Sequence, residues 1–156
     1  MVSKPFYTSG FLYHLATQQI LLQQSDSDSS PLPYWRMFGD FGREREDAQT
    51  AFRRIIYEQM GLRFETKYLF PVYDYDYNTH NIIHYVFYAE VPKLYTFPLL
   101  TAGNFTWFTF KQITKLHLGS QAKQDIVVSE RVINAQARSK EPLILQHPGQ
   151  HPNLYH

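Results

Sequence analysis

The sequence predicts an α+β fold, a mixed sheet with a helix packed on each face, and three observations point to it. The first is element order: strands and one helix, then strands and a second main helix. The second is one clean amphipathic helix, in which Ala48, Phe52, Ile56 and Met60 recur every four residues. The third is the run "IIHYVFYAEV" (82–91), apolar on both faces and therefore expected at the centre of a sheet. A chain of 156 residues, 44% apolar and 17% aromatic, suits one domain around one core.

The elements follow in order. "FYTSGFLYHL" (6–15) reads as an aromatic-rich strand and "QQILLQQ" (18–24) as a second, with Ala16 and Thr17 at the turn. "SDSDSSPLP" (25–33) is a polar, proline-containing loop, and "YWRMF" (34–38) is short and extended. A glycine-bearing acidic loop then runs into the helix. Asp47 can cap it, and Glu44, Glu46 and Asp47 crowd its start, as the helix dipole prefers. Gly61 stands at its C-terminal cap, giving a helix of about 14 residues, ~21 Å long.

"LRFETKYLFPVYDYDY" (62–77) reads as a long strand bulged at Pro71, joined through a turn at 78–81 to the strand 82–91 as an antiparallel hairpin. Pro92 and Pro98 bracket an irregular segment. "FTWFTF" (105–110) leads into a short helix near Lys111–Leu116, and "QAKQDIVVSERVINAQARS" (121–139) is a C-terminal helix. The expected organisation is a single domain over 1–140 and a partly flexible, proline-containing tail over 141–156.

Bulk properties remove several function classes. Net charge is +1 with no large charged block, which argues against general nucleic-acid or membrane-surface binding. Twelve Tyr and twelve Phe are accounted for by aromatic-rich strands before any base-stacking role. With no cysteine there is no disulfide, thiolate zinc site or cysteine nucleophile. No apolar run approaches the ~20 residues of a membrane span, and "MVSKPFYTSGF" lacks the pattern of a secretory leader. A cytoplasmic location is the expectation.

The stretch "FGDFGREREDAQTAFRRIIYEQMGLRF" (38–64) resembles the box of the Nudix hydrolases, written G-x5-E-x7-R-E-U-x-E-E-x-G-U with U apolar. Registered on Gly61, the residues Glu46, Arg54, Ile56, Glu58, Gly61 and Leu62 agree, six of the nine defined positions. Asp40 stands at the glycine position, Ile55 at the first helix glutamate and Gln59 at the last. The flanks are similar too: Trp35 and Gly39 in "WRMFGD" sit where such chains carry a Trp and a Pro-Gly-Gly turn. The resemblance covers residues 6 to about 138 and implies an α/β/α sandwich with a mixed sheet.

It also implies a chemistry. Nudix enzymes hydrolyse nucleoside diphosphate-linked compounds with a divalent cation, Mg²⁺ or Mn²⁺, that neutralises the phosphates and positions a water. Glutamates three and four apart share one helix face and can hold such a cation through oxygen. By resemblance, Glu58, Glu46 and Arg54 are the catalytic candidates. Glu58 holds the metal with Asp40, and Arg54 pairs with Glu46 to brace the loop. Trp35, Gly39, Asp40 and Tyr75 are the candidates for contact with a nucleotide-type ligand.

Ile55 opposes this reading, because a hydrocarbon can neither coordinate a cation nor take a proton. It either widens the apolar stripe or, as the resemblance implies, points toward the metal. Gln59 brings an amide oxygen without charge. Three functions therefore stand side by side: a hydrolase with altered, slow chemistry; a catalytically inactive Nudix-fold module that binds a nucleotide or a protein; and a structural partner whose aromatic strands form a homodimer.

In "YDYDYN" (73–78), Tyr73, Tyr75 and Tyr77 share one strand face and Asp74 and Asp76 the other. An exposed hairpin tip or a dimer contact is expected there before a stacking platform or second metal site. His80 and His84 straddle a turn and are not expected to share a metal. His147, His151 and His156 lie among prolines and offer at most adventitious metal binding. No histidine–acid pattern is evident in the sequence beside Ser9.

Overall fold

In the computed structural model the described residues are 5–25, 32–77, 81–97 and 104–146, with the side chains of Tyr77 and 139–146 excepted. Along them run β1 (Phe6–His14), β2 (Gln19–Ser25), β3 (Tyr34–Arg36), β4 (Phe38–Phe41), α1 (Ala48–Met60), a 3-10 turn (Thr66–Tyr68), β5 (Leu69–Tyr77), β6 (Ile82–Val91), β7 (Phe105–Thr109), α2 (Phe110–Ile113), β8 (His117–Leu118) and α3 (Ser120–Gln146). The strands form one mixed sheet in the order β5-β6-β1-β2-β3-β8, with β4 also paired to β1 and β7 to β2.

The parallel β1–β6 pair is its spine, in register from Phe6 opposite Ile83 to His14 opposite Val91. β1 is divided along its other edge. Its first half pairs with β4 (Ser9 opposite Gly39) and its second with β2 (Leu12 opposite Leu21). The change of partner falls at Phe11, between the Gly10–Phe38 and Leu12–Leu21 pairs.

Helix α1 forms where its sequence places it. The Asp47 carboxylate accepts the Thr50 backbone N–H at 2.7 Å, closing the N-terminus. Gly61 closes the other end at φ 73°, a left-handed conformation cheap only for glycine. Ala51, Phe52, Ile55 and Ile56 are buried on one face. Phe52 stacks on Phe38 and on Phe87, each at 5.5 Å. Gly10 makes that approach feasible, since a Cβ there would lie 1.9 Å from the Phe87 carbonyl oxygen and 2.9 Å from the Phe52 ring.

Adjacent strand residues face opposite ways, so Phe87 and Tyr88 define the two faces of the sheet. α1 covers the Phe87 face. α3 covers the other, burying Asp125, Ile126, Ser129 and Ile133, while the Tyr88 hydroxyl donates to Gln136 at 2.9 Å. The result is the expected α/β/α sandwich.

Residues 62–68 and 39–40 depart from expectation, and the alternatives at position 55 are decided. Residues 62–68 are not strand, because α1 side chains take their carbonyls: Arg53 Nε donates to Phe64 O at 2.8 Å and Gln49 Nε2 to Thr66 O at 3.5 Å. Gly39 and Asp40 lie in β4 rather than in a loop. Phe38 is fully buried in the core. Ile55 is also core, with 1% of its surface exposed, so the stripe reading holds and the metal-facing one does not. The bulge expected at Pro71 is present, as a register shift between Pro71 and Tyr73.

α3 continues to Gln146, past position 140. His80, most of the loops at 25–33 and 100–104, most of the turn at 78–81 and the tail histidines lie outside the described residues.

Candidate functional site

The loop between β4 and α1 is held by one guanidinium. Arg54, four residues before Glu58 on α1, reaches three partners at once. Its Nε and Nη2 meet the Glu46 carboxylate at 2.7 and 3.0 Å, its Nη1 meets Glu58 at 2.8 Å, and Nη2 also donates to the Phe41 carbonyl at 3.0 Å. Arg43 completes the brace. Its backbone N–H donates to Glu46 Oε1 at 2.7 Å and its Nη2 meets Glu58 Oε2 at 3.0 Å. Both oxygens of Glu58 are thus held by guanidinium groups, Oε1 by Arg54 and Oε2 by Arg43. Hydrogen bonding to Arg54 holds the Glu46 and Glu58 carboxyls below their usual range, and Arg54 is raised by Glu46 in turn.

On the α3 face, beside the divided strand β1, lies a cavity of about 480 Å³ with Tyr7, Ser9, Arg36, Phe41, His84 and Asp125 in its wall. A chain of hydrogen bonds forms its polar side. Ser9 Oγ lies 2.7 Å from His84 Nε2, and His84 Nδ1 lies 2.7 Å from the Tyr75 hydroxyl. Tyr75 donates to Asp125 Oδ2 at 3.1 Å, while Tyr73 and Gln121 Nε2 donate to Oδ1 at 2.5 and 3.0 Å. With Tyr75's single hydrogen given to the carboxylate, its oxygen accepts Nδ1–H, and Nε2 accepts the Ser9 hydroxyl. Burial depresses the His84 pKa, with Asp125 opposing, and burial raises the Tyr73 hydroxyl. Asp125, 1% exposed, is therefore a buried carboxylate satisfied by three donors.

A larger cavity of about 600 Å³ lies at the opposite end of β1, lined by His14, Leu62, Phe64, Tyr68, Val91 and Tyr95 among others. The hydrogen-bonded chain does not reach it, so the smaller cavity is the better candidate site.

The model for the NUDIX domain matches residues 8–129, most of the chain. The chain belongs to the Nudix family. Several solved structures share its fold. The Nudix domain of Shewanella oneidensis NrtR, solved with ADP ribose, is 14% identical, with 85% of this chain and 90% of that one covered and a TM-score of 0.63. The Escherichia coli dihydroneopterin triphosphate pyrophosphohydrolase is 16% identical over 86% and 99%, also at 0.63. The C-terminal domain of mouse MUTYH, solved with human PCNA, is 13% identical over 85% and 91%, at 0.57. A search among curated proteins found no match.

Nudix hydrolysis calls for a divalent cation, and the donors here do not fit one. Ile55 is in the core, Glu58 is engaged twice by arginine, and Asp40 Oδ1 accepts the Phe41 backbone N–H at 2.7 Å. Gln59 offers a buried amide oxygen that no described group bonds, which is one neutral donor. Among the described residues no three His, Asp or Glu side chains gather as a metal site.

The sequence candidates are distributed unevenly around the site. Glu46, Arg54 and Glu58 come together as the loop brace. Tyr75 supports the cavity wall through Asp125 and His84. Gly39 lies against β1, where a Cβ would sit 2.6 Å from the Thr8 carbonyl oxygen. Trp35 turns away. It packs edge-on to Phe108 at 4.9 Å, while its strand neighbours Tyr34 and Arg36 line the cavity.

The residues that sequence reasoning missed are Ser9, His84, Asp125 and Arg43. Ser9 does have a histidine and an acid nearby, brought from β6 and α3. One readable signal existed: Asp125 sits on the apolar stripe of α3 with Ile126, Ser129 and Ile133, where an acid demands partners.

Proposed function

We propose that this chain is a Nudix-fold binding module for a nucleotide-type ligand, held in the cavity walled by Tyr7, Ser9, His84 and Asp125, and that it lacks metal-dependent hydrolysis. The observation that carries the reading is the state of Glu58. A carboxylate with one guanidinium on each oxygen has its charge already compensated and is a poorer cation ligand, and neither position 55 nor 59 supplies a second charged oxygen.

The cavity persists while the metal donors do not. Its size lies in the range of small-molecule sites, and it combines aromatic surface with a few convergent polar groups. Tyr7 and Tyr34 offer faces for a planar ring, and Ser9 and Gln121 offer hydrogen-bonding edges. That the NrtR domain takes ADP ribose supports a nucleotide-type ligand on this fold. In this reading Glu46, Arg54 and Glu58 are loop-bracing residues, Tyr75 positions His84, and Trp35 is structural.

The test is a calorimetric binding screen over nucleotides, ADP-ribose and nucleotide sugars, run beside a pyrophosphatase assay with Mg²⁺ and Mn²⁺. Binding without turnover is expected, and Ala122→Phe, which fills the cavity from α3, weakens it. Metal-stimulated turnover that Glu58→Gln abolishes would overturn the reading in favour of a hydrolase.

A further inference from the structure

We propose that Arg43 takes the place of the divalent cation, so that the chain binds the anionic diphosphate of its ligand without metal, with Glu58 holding Arg43 in readiness. This rests on the binding-module reading and adds to it a ligand chemistry and a mode of capture.

The charge balance of the site leads there. An intact box carries Glu at 46, 55, 58 and 59 and Arg at 54, a net charge of −3, which repels phosphate unless a cation intervenes. Here Ile55 and Gln59 bring the same five positions to −1, and Arg43, paired to Glu58 at 3.0 Å, brings the cluster to neutrality. The reason to recruit a metal has gone, and a permanent cation stands in its place.

The geometry suits exchange. The Arg43 side chain is 62% exposed and contacts Glu58 through one nitrogen, Nη2, whereas a guanidinium has five N–H donors in a fork that matches phosphate oxygens. Its backbone is pinned, because the Arg43 N–H donates to Glu46 Oε1 at 2.7 Å and the Glu46 N–H returns to Arg43 O at 3.1 Å. The side chain can therefore swing while the loop stays in place. Phe41 connects the two parts: it lines the cavity and its carbonyl is held by the same Arg54 that holds Glu58. Arg43 follows Phe41 by two residues, so a ligand in the cavity with its phosphates at the Phe41 end lies beside the loop that carries Arg43, while Arg36 stands on the cavity wall. When phosphate displaces Glu58 from Arg43, Arg54 still pairs the released carboxylate at 2.8 Å.

The test is calorimetry of ADP-ribose, ADP and inorganic pyrophosphate, each with EDTA and with excess Mg²⁺. Binding at least as tight with EDTA as with excess Mg²⁺ is expected, since Mg²⁺ competes for the same phosphate oxygens, and Mg²⁺ alone gives no binding heat. Arg43→Ala, at an exposed position, weakens ADP-ribose by ~10- to 100-fold, the range of one or two charge-assisted hydrogen bonds. Glu58→Gln, by releasing Arg43, tightens it. Loss of more than about tenfold on chelation, or an Arg43→Ala variant that binds as the parent does, overturns the proposal. If chelation abolishes binding that Ala122→Phe also weakens, the metal-free mode falls and the binding module stands. If no probe binds in either condition, both fall.

Discussion

Replacing Ile55 by Glu restores the box at its most conspicuous departure, and the structure predicts damage in place of activity. Ile55 is 1% exposed within the core cluster on the sheet side of α1. Losing the buried isoleucine costs ~1.5–3 kcal/mol, less whatever the methylenes of Glu recover. The carboxyl must also stay protonated at pH 7 or be buried charged. Holding it neutral from an unfolded pKa near 4.3 costs roughly 3–4 kcal/mol at that pH. The sum is about 4–6 kcal/mol, a lowering of the melting temperature by ~8–24 °C for a chain of this size. The group's folded pKa is raised, so the deficit is smallest below about pH 4.3 and widens as pH rises toward the folded value. Urea and thermal unfolding of Ile55→Glu against pH, with Ile55→Leu as a control losing less than about 1.5 kcal/mol, check this. An Ile55→Glu protein that melts like the parent and gains Mg²⁺-dependent pyrophosphatase activity would refute the core placement of position 55 and the binding-module reading together.

Arg54→Ala removes the side-chain contacts that tie Glu46 and Phe41 O to α1, leaving Glu46 (14% exposed) with only a backbone donor and Arg43–Glu58 as the remaining ion pair from the loop to the helix. A loss of about 2–4 kcal/mol in chemical denaturation is expected, with faster amide exchange over 41–46. Glu46 is depressed by Arg54, so its stabilisation is full above the unfolded pKa near 4.3 and is lost as pH falls through the folded value; Arg54→Ala flattens that acid limb of the stability curve. Gly10→Ala sets a Cβ 1.9 Å from Phe87 O across the β1–β6 pair, and the expected outcome is loss of soluble folded protein, read by circular dichroism. His84 is depressed by burial, so its contribution is present above about pH 6.5 and declines as pH falls through its folded pKa. An imidazole titration by NMR with a midpoint above 6.5 would contradict the buried chain from Ser9 to Asp125.

The fold was legible because its signals are local and periodic. α1 could be read end to end from Asp47, the stripe and Gly61, and β6 from a run apolar on both faces, and both stand at their expected bounds. Residues 62–68 were misread because their carbonyls are claimed by Arg53 and Gln49 of α1, a tertiary choice that β propensity cannot register. The cavity was illegible for a related reason. Ser9, Tyr75, His84 and Asp125 come from four elements: the β5–β6 hairpin sets Tyr75 opposite His84, but the parallel pairing of β1 with β6 and the seat of α3 are needed to bring in Ser9 and Asp125. Tyr73 and Tyr75 were correctly placed on one face, yet what that face meets depends on an aspartate 50 residues away.

The match to the Nudix box has a structural explanation that needs no catalysis. Of the six agreeing positions, Glu46 and Glu58 both bond Arg54, which ties the loop to α1, and Ile56 is fully buried. Gly61 takes the left-handed cap, and Leu62 packs on the core. Each agreement is accounted for by folding alone. The three departures, at 40, 55 and 59, fall where the family pattern calls for close backbone approach or for charged metal oxygens. In their place are a strand aspartate bonded to its own neighbour's backbone, a core isoleucine and a neutral amide. A motif of this kind mixes residues that build the loop with residues that use it; this chain departs at three of the latter, positions 40, 55 and 59, and keeps Glu58, which the loop's arginines hold. The degree of agreement therefore measures the fold, and function has to be read from the groups that hold Glu58 and wall the cavity.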